Sequence, residues 1–255
     1  MNRPHLRYAD VPAVEWIDAL DPALAAFHLA LNRMNCHCYD GTPTLTGRPE
    51  ALGMPLWTLM DCCFLPSAVV GFLAPRAALD DDLARMVDPE ASLKDVAISE
   101  FIAVPTMVPG RVTGISLFSA WSGRALGRRS KALGLLCLDA KEQIGITQFS
   151  NPSILLHLAF GALHVVAPRV DVHSRPGETF VYRIDVPPRS VLHRLIDGDL
   201  RHAWDRGEAL ARAEWVQVLP NGSFPESAGL EVGSRVVDAR VREGKVSEIA
   251  ILPPA

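Results

Sequence analysis

Two periodicities alternate along the chain. Apolar residues that return every three or four positions predict a helix, and short apolar runs or apolar–polar alternation predict a strand. Val14, Ile17 and Leu20 lie at helical spacing behind Asp10, an N-cap residue type, with Pro12 in the first turn. A short apolar segment around Leu6 and Tyr8 precedes them. Asp21-Pro22 breaks the run, so a second helix is predicted over 22–34. Asn, Gly, Thr and three prolines make 35–55 irregular. Residues 54–64 and 67–76 read as two strands joined at Leu65-Pro66, and the acidic stretch 77–95 as partly helical from near Asp80.

The segment 96–104 is the next predicted strand, rich in β-branched and aromatic residues. After it comes a Gly-containing loop over 108–116 and a helix whose buried stripe is Ile115, Phe118, Trp121 and Ala125. Residues 134–140 form a short strand. Asn151-Pro152 then opens a helix with Ile154, Leu155, Leu158 and Ala159 on its buried face, and Gly161 ends it. Strands follow at 162–166 and 179–187. From Pro187 the character changes: residues 190–215 are helical with interruptions at Gly198 and Gly207, and the tail is a β-hairpin turning at Glu243-Gly244. A soft boundary near residue 187 separates a first domain (1–186) from a C-terminal extension (187–255) packed on it.

Composition narrows the function classes. A chain of 255 residues with 49% hydrophobic and 21% charged side chains is an ordinary globular sequence. Its net charge of −4 supplies no attraction to nucleic acid or an anionic membrane, and neither is expected as a partner. There is no apolar run of membrane-spanning length and no secretory leader at the start. Of five cysteines, Cys36 and Cys38 form a C-x-C, Cys62 and Cys63 are adjacent and Cys137 stands apart. An odd count without a leader points to free thiols in a reducing, cytoplasmic setting. These spacings do not match structural zinc, and no metal is expected.

Successive backbone N–H groups in the loop Arg111-Val112-Thr113-Gly114-Ile115-Ser116, at the start of a helix, would form a phosphate site; an ordinary turn glycine is the plain alternative. In order and spacing, residues 100–163 resemble the coenzyme A-binding core of the GNAT N-acetyltransferase superfamily. That family carries Arg/Gln-x-x-Gly-x-Gly/Ala after its fourth strand, where Arg111 and Gly114 fit and Ser116 departs from the pattern. The resemblance implies an α/β (strictly α+β) fold, a mixed twisted sheet flanked by helices. Its sheet splays between the fourth and fifth strands, and the acyl-pantetheine arm lies in the gap.

The activity implied is direct acyl transfer from acetyl-CoA or another acyl-CoA to an amine of a small molecule or peptide. Cofactor contacts would come from Arg111 to Ser116, from Asn151, and from backbone groups of Ile102 and Val104 on the fourth strand. His157 takes the place of the family tyrosine that protonates the departing thiolate, as an imidazolium. Glu100 takes the place of the general base, with Asp139 and His173 as substitutes. The extra residues at 35–55 and 187–255 would shape an acceptor pocket or a homodimer contact. A non-catalytic coenzyme A-binding module and an acyl carrier protein-dependent acyltransferase are the other functions compatible with these residues.

Overall fold

Three antiparallel strands open the sheet: β1 (Val69–Pro75), β2 (Asp95–Pro105) and β3 (Arg111–Ser119). The computed structural model describes residues 22–40, 54, 56–65, 67–121, 123–170 and 178–254. Before β1 lie the helices α1 (Pro22–Asp40) and α2 (Leu56–Phe64), and α3 (Asp81–Val87) follows it. The remaining elements are α4 (Leu126–Cys137), β4 (Glu142–Gln148), α5 (Ser153–Leu158), β5 (Leu163–Val170) and β6 (Thr179–Asp185). Then come α6 (Arg189–Ile196), α7 (Gly207–Arg212), β7 (Glu214–Gln217), β8 (Arg235–Arg242) and β9 (Lys245–Leu252). The strands form one mixed sheet in the order β1-β2-β3-β4-β6-β5-β8-β9-β7. Among the described strands only β3 and β4 pair in parallel, and α4 makes the crossover between them.

β2 is covered on both faces, which is why it reads as a nearly continuous apolar run. Phe101 belongs to the core under α4 and α5, with Leu135, Ile154, Leu158, Phe160 and Tyr182. Ile98 and Ile102 belong to the core under α1 and α2, with Leu31, Met34, Leu59 and Phe118. Gly134 lets α4 come close to the sheet, since a Cβ there would lie 2.5 Å from the Phe101 ring. Asp80 caps α3 by accepting from the Leu83 N–H at 2.8 Å, in accord with the sequence. The β8–β9 turn has positive φ at both Glu243 (52°) and Gly244 (76°), the geometry a two-residue hairpin requires.

The C-terminal segment joins the sheet through β8, which pairs with β5 at Leu163↔Val236 and His164↔Arg235. Its Leu192, Leu195, Phe224, Leu230, Val236, Ile249 and Ile251 share a core with Phe149 and Leu163. Phe149 stacks on Phe180 at 4.7 Å and on Phe224 at 4.8 Å, bridging the two parts of the chain.

Several local expectations are corrected. Residues 56–64 are helical, because Leu59, Met60 and Cys62 are all buried and a short apolar run does not by itself distinguish helix from strand. The helix that begins at Pro22 continues through Asn35 to Asp40. Arg111 to Ser116 are strand, not a loop at a helix start, and the stripe Ile115–Phe118 belongs to β3. Gly134 to Cys137 are the last turn of α4. The predicted strand and helix over 6–20, and His173, lie outside the described residues.

Candidate functional site

β3 and β4 touch only at Arg111↔Glu142, Val112↔Gln143 and Thr113↔Ile144, although β3 runs on to Ser119 and β4 to Gln148. Beyond Thr113 the two strands separate, and the sheet opens in its middle. The β2–β3 ladder fixes which backbone groups face the opening. The Ala120 N–H bonds the Ile98 carbonyl, so by alternation the N–H and C=O of Leu117 point away from β2, toward the side β4 has left. Tyr39, in the last turn of α1, meets both. Its hydroxyl accepts from the Leu117 N–H at 2.8 Å and donates to the Leu117 carbonyl at 3.0 Å. A side chain thus makes the two bonds that a neighbouring strand would otherwise make.

On the α1 face of the opening sits Glu100, 1% exposed. Its Oε1 accepts from Asn35 Nδ2 at 2.9 Å and from Ser116 Oγ at 3.0 Å, while its Oε2 is buried with no hydrogen-bond partner. Asn35 also donates to Ser116 Oγ at 3.0 Å. Asn35 is itself held by the Met54 N–H, which donates to its Oδ1 at 2.9 Å, and Asn32 Nδ2 donates to the Met54 carbonyl at 2.6 Å. Burial pushes the Glu100 carboxyl up to about 7, against the opposing pull of the Ser116 and Asn35 hydrogen bonds. Burial, and secondarily the neighbouring Glu100, push the Cys38 thiol up to about 12. This thiol is no nucleophile at neutral pH.

On the opposite face Lys131 of α4 and His157 of α5 bury a second polar pair. Lys131 Nζ lies 3.0 Å from His157 Nδ1 and 4.7 Å from the centre of the Phe160 ring. The His157 ring is 5.1 Å from that of Tyr182 on β6. Tyr182 packs against Gly145 of β4, where a Cβ would lie 2.3 Å from the tyrosine oxygen; glycine is needed at that position. Burial drives the Lys131 ammonium well below its ordinary value. Burial first, and then Lys131, do the same to His157. His157 is therefore a neutral base in the folded protein at neutral pH, which corrects the expectation of an imidazolium there.

Of the residues singled out in the sequence, the fold brings Glu100 and Ser116 together and leaves His157 across the opening. Arg111 forms an ion pair with Glu142 at 2.7 Å, near the closed end of the β3–β4 pair, and Val112 is buried in the core. Thr113 closes the pairing with β4. Gly114 lies against Gln143, whose Nε2 would be 2.6 Å from an added Cβ, and Ile115 is 45% exposed. Ile102 and Val104 belong to an inner strand paired on β3, so their backbone groups do not line the opening. Asn151 accepts from the Ser153 N–H at 2.8 Å and so orders the start of α5. Asp139 is exposed and paired with Lys141 at 3.1 Å and Arg189 at 3.2 Å. These three charges, with Leu135, Leu136 and Val186, line a separate cavity of about 150 Å3 that no residue of the opening shares.

Tyr39, Asn35 and Lys131 were not anticipated. A lysine among Ala132, Leu135 and Leu136 on a helix was the available signal for Lys131. Tyr39 and Asn35 lay in a stretch read as irregular.

The segment between β3 and α4 carries a further feature. Gly123 (φ 76°) and Ala125 (φ 52°) are both left-handed, and Ala125 is the N-cap of α4 without a side-chain cap. Ala125 offers the first amides of α4 no side-chain acceptor. The Arg124 guanidinium lies 4.6 Å over the Trp121 ring beside them.

Among the described residues no three His, Cys, Asp or Glu side chains come together as a metal ion would require, and no helix is long and apolar enough to cross a membrane. No family model matches the chain, and no curated protein matches it.

Proposed function

We propose that the chain is an acyl-CoA-dependent N-acyltransferase that passes an acyl group directly from the thioester to an amine. The observation that carries this reading is the separation of the parallel pair β3 and β4 beyond Thr113, with α4 crossing between them and Leu117 turned into the gap. An extended acyl-pantetheine arm needs such a gap, and the resemblance to the GNAT superfamily calls for one between two strands. The gap follows β3, so the pyrophosphate loop belongs one strand later than the residues 111–116 first suggested. Gly123-Arg124-Ala125 there matches the Gly-x-Ala end of the family pattern, with Ala120 at the Arg/Gln place. The N-terminus of α4, which Ala125 leaves without a side-chain cap, and the Arg124 guanidinium supply the positive potential for a diphosphate.

The Leu117 N–H, held by Tyr39 Oη in the ligand-free protein, becomes the backbone donor for the thioester oxygen when the substrate displaces that hydroxyl, and Glu100 is the base that takes the proton of the attacking amine. His157, neutral beside Lys131, lines the far side of the gap as a hydrogen-bonding group. Titration of coenzyme A and acetyl-CoA by calorimetry tests the reading, with Gly123→Asp as the variant. A Cβ at Gly123 has no atom within 4 Å, so the aspartate adds charge without a clash. The expected result is binding to the wild type, and its loss in a Gly123→Asp protein that still unfolds cooperatively, at a melting temperature lowered by the left-handed φ of 76° at that position. No binding to the wild type refutes the reading.

A second reading, a non-catalytic binding module, draws on Tyr39, whose hydroxyl already satisfies both Leu117 groups in the gap. Thiol release from acetyl-CoA with a panel of primary amines separates the two.

A further inference from the structure

We propose that the acyl donor carries a carboxylate at the far end of its acyl group, as a malonyl, succinyl or glutaryl thioester does, and that Lys131 is the cation that pairs with it. The inference rests on the transferase reading and names the donor class for that same gap. Lys131 of α4 is 0% exposed, and among the described residues no carboxylate pairs with it. Its polar neighbour is His157 Nδ1 at 3.0 Å, and the centre of the Phe160 ring lies at 4.7 Å. The other basic residues of α4, Arg128 and Arg129, are spent on the Leu200 and Ile196 carbonyls. A lysine buried without an anion destabilises a fold, because the ammonium loses its hydration and no opposite charge replaces it. Lys131 is thus a buried cationic group that lacks its partner in the ligand-free protein.

A line of contacts joins this group to the opening in the sheet. The His157 ring lies 5.1 Å from that of Tyr182. Tyr182 in turn reaches over Gly145 of β4, the strand that borders the gap, and fills the place a side chain would take there. Tyr39 stands on the other border, on the Leu117 backbone. The two tyrosine hydroxyls are close enough across the opening that an ionised Tyr39 opposes ionisation of Tyr182. An acyl group whose thioester oxygen sits on the Leu117 N–H therefore faces Tyr182, then His157 and Lys131, on the α4 side.

This wall has donors to give and no anion to receive them. An ammonium carries three hydrogens; His157 Nδ1 takes one, which leaves two for carboxylate oxygens. The Tyr182 hydroxyl is a further donor. His157 is held neutral by burial and by Lys131, so the charge of a carboxylate is met by Lys131 alone. An acetyl group has no polar atom beyond its thioester and leaves Lys131 as the ligand-free protein has it. The transfer step is the same for either donor. The amine nitrogen bonds to the thioester carbon, Glu100 takes the amine proton, and the C–S bond breaks with its electron pair on sulfur. The second carboxylate takes no part and appears unchanged in the product, an amide that bears a free acid.

The test is calorimetric titration of the wild type with coenzyme A alone, and then with matched pairs of thioesters: malonyl- against propionyl-CoA, succinyl- against butyryl-CoA, and glutaryl- against valeryl-CoA. In at least one pair the carboxylic member should bind about 10- to 100-fold more tightly, the range that hydrogen bonds to a charged group supply. Lys131→Met should bind that pair equally or favour the neutral member. Tyr182→Phe, which keeps the ring and loses only the hydroxyl, should narrow the preference, and melting curves establish that both variants are folded. Equal affinities within all three wild-type pairs, or a preference that survives in Lys131→Met, would overturn the donor class. A wild type that binds coenzyme A and shows no preference leaves the transferase reading standing and refutes this inference alone. A wild type that binds neither coenzyme A nor any thioester overturns the transferase reading and the donor class with it.

Discussion

Replacing Glu100 by glutamine should make the protein more resistant to alkaline conditions. The carboxyl is raised from 4.5 to about 7 by burial, so the folded chain holds a proton over an interval in which the unfolded chain has lost it. Stability therefore falls as pH rises from about 4.5 to about 7, and the loss is complete above that. At about 1.4 kcal/mol per pH unit, this single group costs the wild type about 3 kcal/mol between pH 4.5 and pH 8. No discount for solvent screening applies, because the side chain is 1% exposed. Glutamine imitates the protonated acid and has no charge to lose. Its own imperfection, two amide hydrogens left unpaired where Oε2 stood, is the same at every pH. The assay is urea unfolding of both proteins at pH 4.5, 6 and 8, compared as a difference of differences, so that other titrating groups cancel. Glu100→Gln should gain on the wild type by about 3 kcal/mol across the range. Parallel stability curves for the two proteins would show that Glu100 titrates as an ordinary carboxyl and would remove it as a base near neutrality.

Lys131→Met should stabilise the fold at pH 7, since burial disfavours the proton that the unfolded chain binds freely there; the gain should shrink as pH approaches the ordinary lysine value of 10.5. Urea midpoints at pH 7 and 10 measure it, and a variant weaker than the wild type at pH 7 would mean that Lys131 is held charged. Ending the chain after Pro187 should strip β8 from β5 and remove Phe224 from Phe149, exposing core residues and causing aggregation. A soluble 1–187 fragment with one cooperative melt would contradict that. Gly145→Ala should destabilise by about 1–3 kcal/mol, because the added carbon meets the Tyr182 oxygen; a thermal melt equal to that of the wild type would show that Tyr182 moves freely.

Local chemistry alone determined a good part of the molecule. The Asp80 cap, the start of a helix at Pro22, the Glu243-Gly244 turn and the runs that became β2, β6, β8 and β9 depend on residues near one another in the chain, and their elements lie close to where the pattern put them. Glu100 also stood out before any fold was known. The segment from Arg111 to Ser119 shows where that kind of reading stops. Ile115 and Phe118 are three apart and suggest a helix, but the pairing of β3 on β2 shifts between Ile102 and Ala103, and that irregularity breaks the strand's alternation. Residues 56–64 failed for a related reason, since a short apolar run does not by itself distinguish a helix from a strand.

The site itself depended on contacts between distant parts of the chain. The opening exists because β4 leaves β3 after three residue pairs, and nothing in either strand's own composition announces that. Glu100 is raised because α1, more than sixty residues earlier, lays Asn35 and Tyr39 over it and excludes water. His157 loses its charge through burial and a neighbour from another helix. Residue types and their local spacing settle which groups are able to carry protons; long-range packing, by setting desolvation and distance, settles which of them do so near neutral pH.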